Sequence, residues 1–315
     1  MRTSVIVPAH NSRETLPRTL EALAEQELDG EYEVIVIDDG SSDGTADVAR
    51  SAPGPVAVAS QSHSGPAAAR NLGVARSSGS LLAFCDADVF PTARWLHAGI
   101  DALKRADIVQ GKVLPDPSVR LGPFDRSIWV TARGGLWESA NLFVRRELFE
   151  RVGGFSDWLA PRKGKQLGED VFFAYKALRA GARPDFCQRA LAYHAVYARD
   201  WITYVLERRR LSHFPAATRR VPELRRDFLY QRLFLNARSA RFDLALLGAA
   251  GAAWRHSPLP LWLALPYLQT ARAGSLRAPR SEPGWRRVAA ADLAADLVGL
   301  VALVEGSLRH RSPVI

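Results

Sequence analysis

The sequence predicts an α/β fold, a doubly wound and mostly parallel sheet flanked by helices, and three observations carry that expectation. Short β-branched runs alternate with helical periodicity through the first part of the chain. Polar clusters follow three of the apolar runs: His10-Asn11, Asp38-Asp39 and Asp86-Ala87-Asp88. After residue 198 the composition changes to one rich in Arg, Ala, Leu and Trp, which predicts a C-terminal helical extension.

The elements follow in order. Ser4-Val5-Ile6-Val7 predicts a strand, about Ser12 to Gln26 a helix, and Glu33-Val34-Ile35-Val36-Ile37 a second strand. A helix near Gly44 to Ser51, a strand at Val56 to Ser60, a helix near Pro66 to Arg76 and the strand Leu81-Leu82-Ala83-Phe84-Cys85 complete a β-α-β rhythm. In open sheets of this kind the ligand site forms beyond the carboxyl ends of the strands, where the three polar clusters fall. From about Ile108 to Ala192 the pattern is mixed, with the segment Ser139 to Val144 and a helix starting near Glu169, and this part is expected to complete the sheet.

Beyond Arg199, the apolar stretches Leu244 to Trp254 and Pro258 to Leu268 are each about half of the roughly 20 residues that a membrane crossing needs. Arg255-His256-Ser257-Pro258 separates them, and Asp292 and Asp296 interrupt a later stretch from Val288 to Val304. They read as amphipathic helices lying on a membrane or packed on the core, with Trp254 and Trp262 suited to an interface. The expected division is residues 1–198 as one α/β domain and 199–315 as a basic helical extension.

At 315 residues and 47% hydrophobic composition the chain can bury a substantial core. Cys85 and Cys187 form no C-x-x-C pair, which argues against structural zinc and a disulfide framework and for a reducing cytosol. The run opening the chain ends at Pro8, too short for a signal peptide or a membrane span, so a cytoplasmic location is expected, with a peripheral position at the inner face of the cell membrane as its variant. The net charge of +9 points to an anionic partner, either an anionic membrane surface or a phosphate-bearing substrate. Eleven arginines against four acidic residues between Arg199 and Arg241 place the surplus largely in the C-terminal part. Nucleic acid is disfavoured, because neither an aromatic platform nor a known reading motif accompanies the charge.

Asp86-Ala87-Asp88 follows an apolar strand, and alternate residues of an extended segment share a face, so both carboxylates can meet one hard cation, Mn2+ or Mg2+. Such an ion neutralises a departing diphosphate. Asp-x-Asp also occurs in solvated turns, so the triplet gains its meaning from context. The earlier strand ends in Asp38-Asp39-Gly40-Ser41-Ser42-Asp43-Gly44-Thr45, where a carboxylate can accept from a nucleobase or ribose. For Asp38 and Asp43, turn and cap chemistry is at least as good a reading. After the first strand stands Pro8-Ala9-His10-Asn11-Ser12 rather than G-x-G-x-x-G, and a P-loop is missing, so a nucleotide would be held chiefly by side chains and metal. Glu169-Asp170 at a helix start also suits the macrodipole alone.

From Ser4 to His194 the sequence resembles the inverting family 2 glycosyltransferases with the GT-A fold. The resemblance runs through Val5-Ile6-Val7-Pro8-Ala9-His10-Asn11, the Val34 to Thr45 run, Gly65-Pro66-Ala67-Ala68-Ala69-Arg70-Asn71-Leu72-Gly73, Asp86-Ala87-Asp88, the Arg145 to Phe155 run and Gly168-Glu169-Asp170. It implies transfer of one sugar from a nucleoside-diphosphate sugar (UDP-, GDP- or dTDP-linked) to an acceptor hydroxyl on a glycan, a lipid-linked molecule or a small molecule. By the same resemblance Pro8 and His10 line the base pocket, Asp39 binds the base, and Arg70 lies near the nucleotide. Asp86 and Asp88 hold the diphosphate through the metal, His194 is a candidate third ligand, and Asp170 is the base with Glu169 beside it. Arg162-Lys163-Gly164-Lys165, in the segment Ser156 to Leu167, reads as a loop whose cations meet the departing phosphates or as a plain solvated loop.

The chain also departs from that pattern. His63 stands where many relatives have asparagine, His10 replaces a frequent tyrosine, and a Gln-x-x-Arg-Trp motif is missing, which favours single-sugar transfer over processive synthesis. Cys85 is expected in the core, and Asn141 either reaches the acceptor or satisfies a turn. Two alternatives stand beside this reading. A sugar-phosphate nucleotidyltransferase would need a Gly-rich loop after its first strand. A catalytically silent module, binding nucleotide sugar, membrane or a protein partner, is opposed by the intact carboxylates of Asp86, Asp88 and Asp170.

Overall fold

The computed structural model describes residues 2–156, 158, 168–275 and 284–315. It separates into two compact units, one of residues 2–119 with 127–196 and the other of 120–126 with 197–315. That the short segment 120–126 groups with the C-terminal part was not legible in the sequence.

The first unit is built on a mixed eight-stranded sheet in the order β3-β2-β1-β4-β7-β6-β8-β5. Strands β1 (Thr3–Ala9), β2 (Tyr32–Asp39), β3 (Val56–Gln61) and β4 (Leu81–Cys85) pair in parallel, as the alternation of apolar runs and helices predicts. β7 (Asn141–Arg145) runs antiparallel between β4 and β6 (Ile108–Pro115). β6 pairs in parallel with β8 (Pro184–His194), and the short β5 (Val89–Pro91) closes that edge antiparallel to β8. β1 and β4 are buried almost end to end, which is why they read as continuous apolar runs.

Helices α1 (Leu16–Ala24), α2 (Thr45–Arg50), α3 (Pro66–Ala75), α4 (Trp95–Leu103), α5 (Arg146–Arg151) and α6 (Glu169–Arg179) flank the sheet. α1 begins later than its periodicity predicts, because Ser12 to Thr15 form a turn whose Ser12 and Arg13 N–H groups donate to Thr45 Oγ1 (2.8 Å) and Asp43 Oδ2 (3.0 Å). Asp43 also accepts from the Thr45 N–H at 3.0 Å, and Asp38 from the Ser41 N–H at 3.1 Å. Both carboxylates therefore brace turns, and neither caps α2. α3 approaches the sheet closely at Gly73, where a Cβ would lie 2.4 Å from Ile6 Cγ2.

The second unit is helical: α7 (Trp201–Leu206), α8 (Phe214–Arg220), α9 (Leu224–Asp227), α10 (Ala237–Arg255), α11 (Leu265–Ser275) and α12 (Trp285–His310). Asn236 and Ser239 form a capping box that starts α10, and His256 in a left-handed conformation (φ 46°) ends it. α12 buries Val288, Ala291, Ala295, Gly299, Ala302 and Gly306, one stripe at helical spacing. Asp292 and Asp296, which interrupt its apolar pattern, meet Arg238 at 3.4 and 2.8 Å, and Tyr267 donates to Asp296 at 2.7 Å. Among the described residues, no helix is long and apolar enough to cross a membrane.

Candidate active site

The carboxyl ends of β2 and β4 and the far end of β8 carry the polar residues that the sequence singles out. Asp86 and Asp88 lie between β4 and β5. Because β5 pairs antiparallel with β8, Val89 stands opposite His194 and the histidine arrives beside Asp88, with Nε2 at 3.5 Å from Oδ2. His194 Nδ1 lies 2.6 Å from the Ala195 carbonyl oxygen, which only accepts, so Nδ1 carries the proton. One imidazole nitrogen and carboxylate oxygens are ligand types that Mn2+ and Mg2+ accept, although Asp86, Asp88 and His194 do not bring three ligand atoms within 4.8 Å of one another here.

Asp86 is turned towards α3. Arg70, only 4% exposed, donates to Asp86 Oδ1 at 2.7 Å and to Glu169 Oε1 at 3.2 Å, while its Nε is buried without a partner among the described residues. Burial opposes its charge, but the carboxylates of Asp86 and Glu169 overcome that and hold the guanidinium protonated. The adjacent Asn71 exchanges two hydrogen bonds with the Phe155 backbone, at 2.8 and 3.0 Å, and Phe155 packs among Phe84, Phe149 and Phe173. The Arg70-Asn71 pair thus has one residue facing the site and one clamping the Gly153-Gly154-Phe155 turn.

Glu169 and Asp170 open α6 after Gly168, whose φ of 77° is left-handed. Asp170 accepts from the Val171 N–H at 2.9 Å and the Ser139 N–H at 3.4 Å. Burial pushes its carboxyl well above the usual range, and the Glu169 charge adds to this; Arg70 opposes it, and Glu138 raises it further. Glu138 is a residue that sequence reasoning missed. Its own carboxyl is also raised by burial. It follows Trp137, a buried bulky residue held at φ 56°, and left-handed backbone at such a residue is characteristic of functional sites. The Gly134-Gly135 pair just upstream was the only local signal of that irregular backbone.

The base-pocket candidates form a second group. Pro8 is half-buried and His10 exposed, while Asp39 lies buried beneath. Asp39 Oδ1 accepts from Gln61 Nε2 (2.7 Å) and the Ser64 N–H (2.8 Å), and Oδ2 from the Gly65 N–H (2.9 Å), while His63 Nδ1 hydrogen-bonds the Asp39 carbonyl oxygen (3.2 Å) and lies 2.9 Å from Oδ2. It therefore locks the turn that leads into α3. Gly40, at φ 70°, is required there, since a Cβ would lie 2.8 Å from the His63 nitrogen. The two histidines that depart from the family pattern meet: their rings stack with centroids 4.1 Å apart, and His10 Nδ1 donates to the Asp39 carbonyl at 2.8 Å. Among the described residues, His10, Asp39 and His63 bring ligand-type atoms within 4.8 Å of one another, a closeness their hydrogen bonds account for.

Asn141 does not reach an acceptor. Fully buried, it accepts from Trp95 Nε1 (2.8 Å) and donates to the Lys112 and Ala190 carbonyls (3.0 and 2.9 Å), closing the irregularity of β6 at Gly111/Lys112. Cys85 packs in the core as expected, its thiol pushed up by burial. Arg162, Lys163 and Lys165 lie outside the described residues.

A largely parallel sheet with an antiparallel β7, flanked by helices and carrying carboxylates at its strand ends, is the GT-A architecture. It covers 95% of this chain and 86% of a mannosyltransferase from Pyrobaculum calidifontis, solved with GDP-Man and Mn2+, at a TM-score of 0.62 and 21% identity. S. aureus TarS, solved as residues 1-349, aligns over 99% of this chain and 92% of its own at a TM-score of 0.51 and 21% identity. Residues 4–154 match the family described as "Glycosyl transferase family 2". The glycosyltransferase AglE of Haloferax volcanii is 31% identical over 206 residues, 61% of this chain and 66% of that protein. A pre-mycofactocin glycosyltransferase of Mycobacterium tuberculosis is 29% identical over 219 residues, 63% of this chain and 44% of its own length. The chain thus spans about two thirds or less of these relatives. The match to glycosyltransferase family 2 covers just under half of the chain.

Proposed function

We propose that this chain moves a single sugar from a nucleoside-diphosphate sugar to an acceptor hydroxyl on a glycan, lipid-linked molecule or small molecule, with inversion at the anomeric carbon. The observation that carries this reading is Arg70, which ties the strand-end carboxylate Asp86 to Glu169 and so sets Asp170 in the same cluster. Residues 1–198 would be the transferase domain, and 199–315 its basic helical extension.

Asp86, Asp88 and His194 are the residues to hold a divalent ion, Mn2+ or Mg2+, whose contribution when bound is to neutralise charge on the departing diphosphate. Pro8 and His10 border the base, and Asp39, already engaged by the turn before α3, fixes the floor beneath it. Asp170 takes the proton of the acceptor hydroxyl while that oxygen forms its bond to the anomeric carbon. The bond from that carbon to the diphosphate oxygen breaks on the opposite face, and the nucleoside diphosphate leaves with the electron pair. A carboxylate whose pKa is raised by burial is a stronger base than a solvated one, which suits this role. Support for a nucleotide-sugar donor comes from the GDP-Man complex of the Pyrobaculum enzyme and the UDP-GlcNAc complex of TarS.

The test is nucleoside-diphosphate release from a panel of UDP-, GDP- and dTDP-sugars with Mn2+ or Mg2+, with and without simple hydroxyl acceptors. Release that needs the ion and is lost in Asp88→Ala is expected. Failure of every donor to react, together with failure of the nucleotides to bind, would overturn the reading.

A further inference from the structure

Helix α10 and the segment that follows it carry large apolar side chains that nothing among the described residues of the second unit covers. Trp254 is 82% exposed, Leu259 73% and Trp262 70%, and Leu247, Leu265 and Leu268 are exposed with them. The two segments form one hairpin. A Cβ at Gly248 would meet the Pro260 carbonyl oxygen at 2.6 Å, and one at Gly251 would meet the Pro260 ring at 3.3 Å, so the 3-10 turn Leu259–Ala264 lies directly on the last turns of α10. The small residues face the partner segment, and the large ones are left outside.

The charge pattern identifies the occupant. From Leu244 to Ala271 the chain has no acidic residue, and its only charged side chain is Arg255, exposed beside Trp254. Residues 197–315 hold 19 arginines against nine acidic residues, so essentially all of the chain's +9 charge belongs to this part. A second copy of the same face would bring like charge against like charge, whereas an anionic surface complements it. Length agrees. The run Leu244 to Trp254 rises about 16 Å at 1.5 Å per residue, roughly half of a ~30 Å hydrocarbon layer. That reach enters one leaflet without crossing, and tryptophans at such a boundary sit with their rings at headgroup level.

We infer that the α10–α11 hairpin is a monotopic docking element that inserts Trp254, Leu259 and Trp262 into one leaflet of an anionic bilayer. The inference does not depend on the transferase reading, since it rests on the second unit alone.

The full chain is sedimented with vesicles of phosphatidylcholine alone and of phosphatidylcholine containing phosphatidylglycerol, alongside a Trp254→Glu/Trp262→Glu variant. Both positions are solvent-facing, so the variant should keep the parent's circular dichroism and melting temperature. The parent is expected to pellet with the phosphatidylglycerol vesicles, and the double variant to partition at least about tenfold more weakly. Brominated acyl chains are expected to quench tryptophan emission of the parent more than that of the variant. A parent that stays in the supernatant with anionic vesicles, or a double variant that pellets equally, would overturn the inference. So would a parent dimer that the double variant splits while vesicle binding is unchanged, since a second copy would then be the occupant.

Discussion

Replacing Arg70 with methionine probes the cluster at its centre. The side chain is 4% exposed and is the cation that bridges Asp86, at 2.7 Å, and Glu169, at 3.2 Å. Methionine keeps much of the volume and removes the charge, leaving Asp86, Glu169 and Asp170 crowded without compensation. Breaking a buried pair from one side costs about 3–5 kcal/mol. At about 1.4 kcal/mol per tenfold, that lowers the folded-to-unfolded ratio by roughly two to three and a half orders of magnitude. The melting temperature of a domain this size should fall by about 6–20 °C, at ~2–4 °C per kcal/mol. The loss should also depend on pH. Carboxylates buried without a cation have folded-state pKa values above their unfolded ones, so the folded state binds more protons between the two and is destabilised as pH rises through that window. The deficit of Arg70→Met should therefore be greatest at neutral pH and shrink as the pH falls towards the ordinary carboxylate range. Urea and thermal denaturation of parent and variant across pH check both. A deficit below about 1 kcal/mol, or one indifferent to pH, would refute the bridging role assigned to Arg70.

Asp170→Asn is expected to abolish transfer while raising the melting temperature. The Asp170 pKa is raised in the folded state, so its deprotonation at higher pH works against folding, and asparagine removes that cost; a variant that melts below the parent at neutral pH would contradict this. Glu138→Gln removes a charge that holds the Asp170 pKa up, so the acidic limb of the rate profile should move to lower pH. An unmoved limb would separate Glu138 from the base. Asn141→Ala leaves the Trp95 indole N–H and the Lys112 and Ala190 carbonyls unpaired, and should cost about 2–4 kcal/mol in denaturant melts with kcat of the folded enzyme preserved. A lower kcat at unchanged stability would instead place Asn141 at the acceptor.

The first four strands and three helices were legible because each central strand is buried on both faces and reads as an unbroken apolar run between periodic segments. The carboxylates beyond those strands were legible for the same reason, since the strand ends fix where Asp39, Asp86 and Asp88 must lie. The remaining strands were not. β7 is short and runs against its neighbours, and β6 reaches its pairing with β8 through an irregularity that only the buried Asn141 explains. Glu138 escaped notice because its importance comes from the left-handed backbone at Trp137 and the approach of α6, neither of which has a period. His10 and His63 were each visible as departures from the family pattern, yet their stacking depends on β1 and the turn after β3 arriving at the same strand end. In the second unit the end of α10 at Arg255-His256 and the polar interruptions at Asp292 and Asp296, which α12 runs through unbroken, were visible, whereas the pairing of those aspartates with Arg238 was not.

If the strand-end residues bind a nucleoside diphosphate through a divalent ion, nucleotide affinity must depend on that ion. Titration calorimetry of UDP, GDP and dTDP into the parent and Asp88→Asn, with and without Mn2+, measures this without an acceptor. One of these nucleotides is expected to bind the parent with Mn2+, and at least about tenfold more weakly without the ion or in the variant. Binding of equal strength in all four conditions would contradict the role given to Asp88 and His194, and no binding of any nucleotide in any condition would contradict the claim itself.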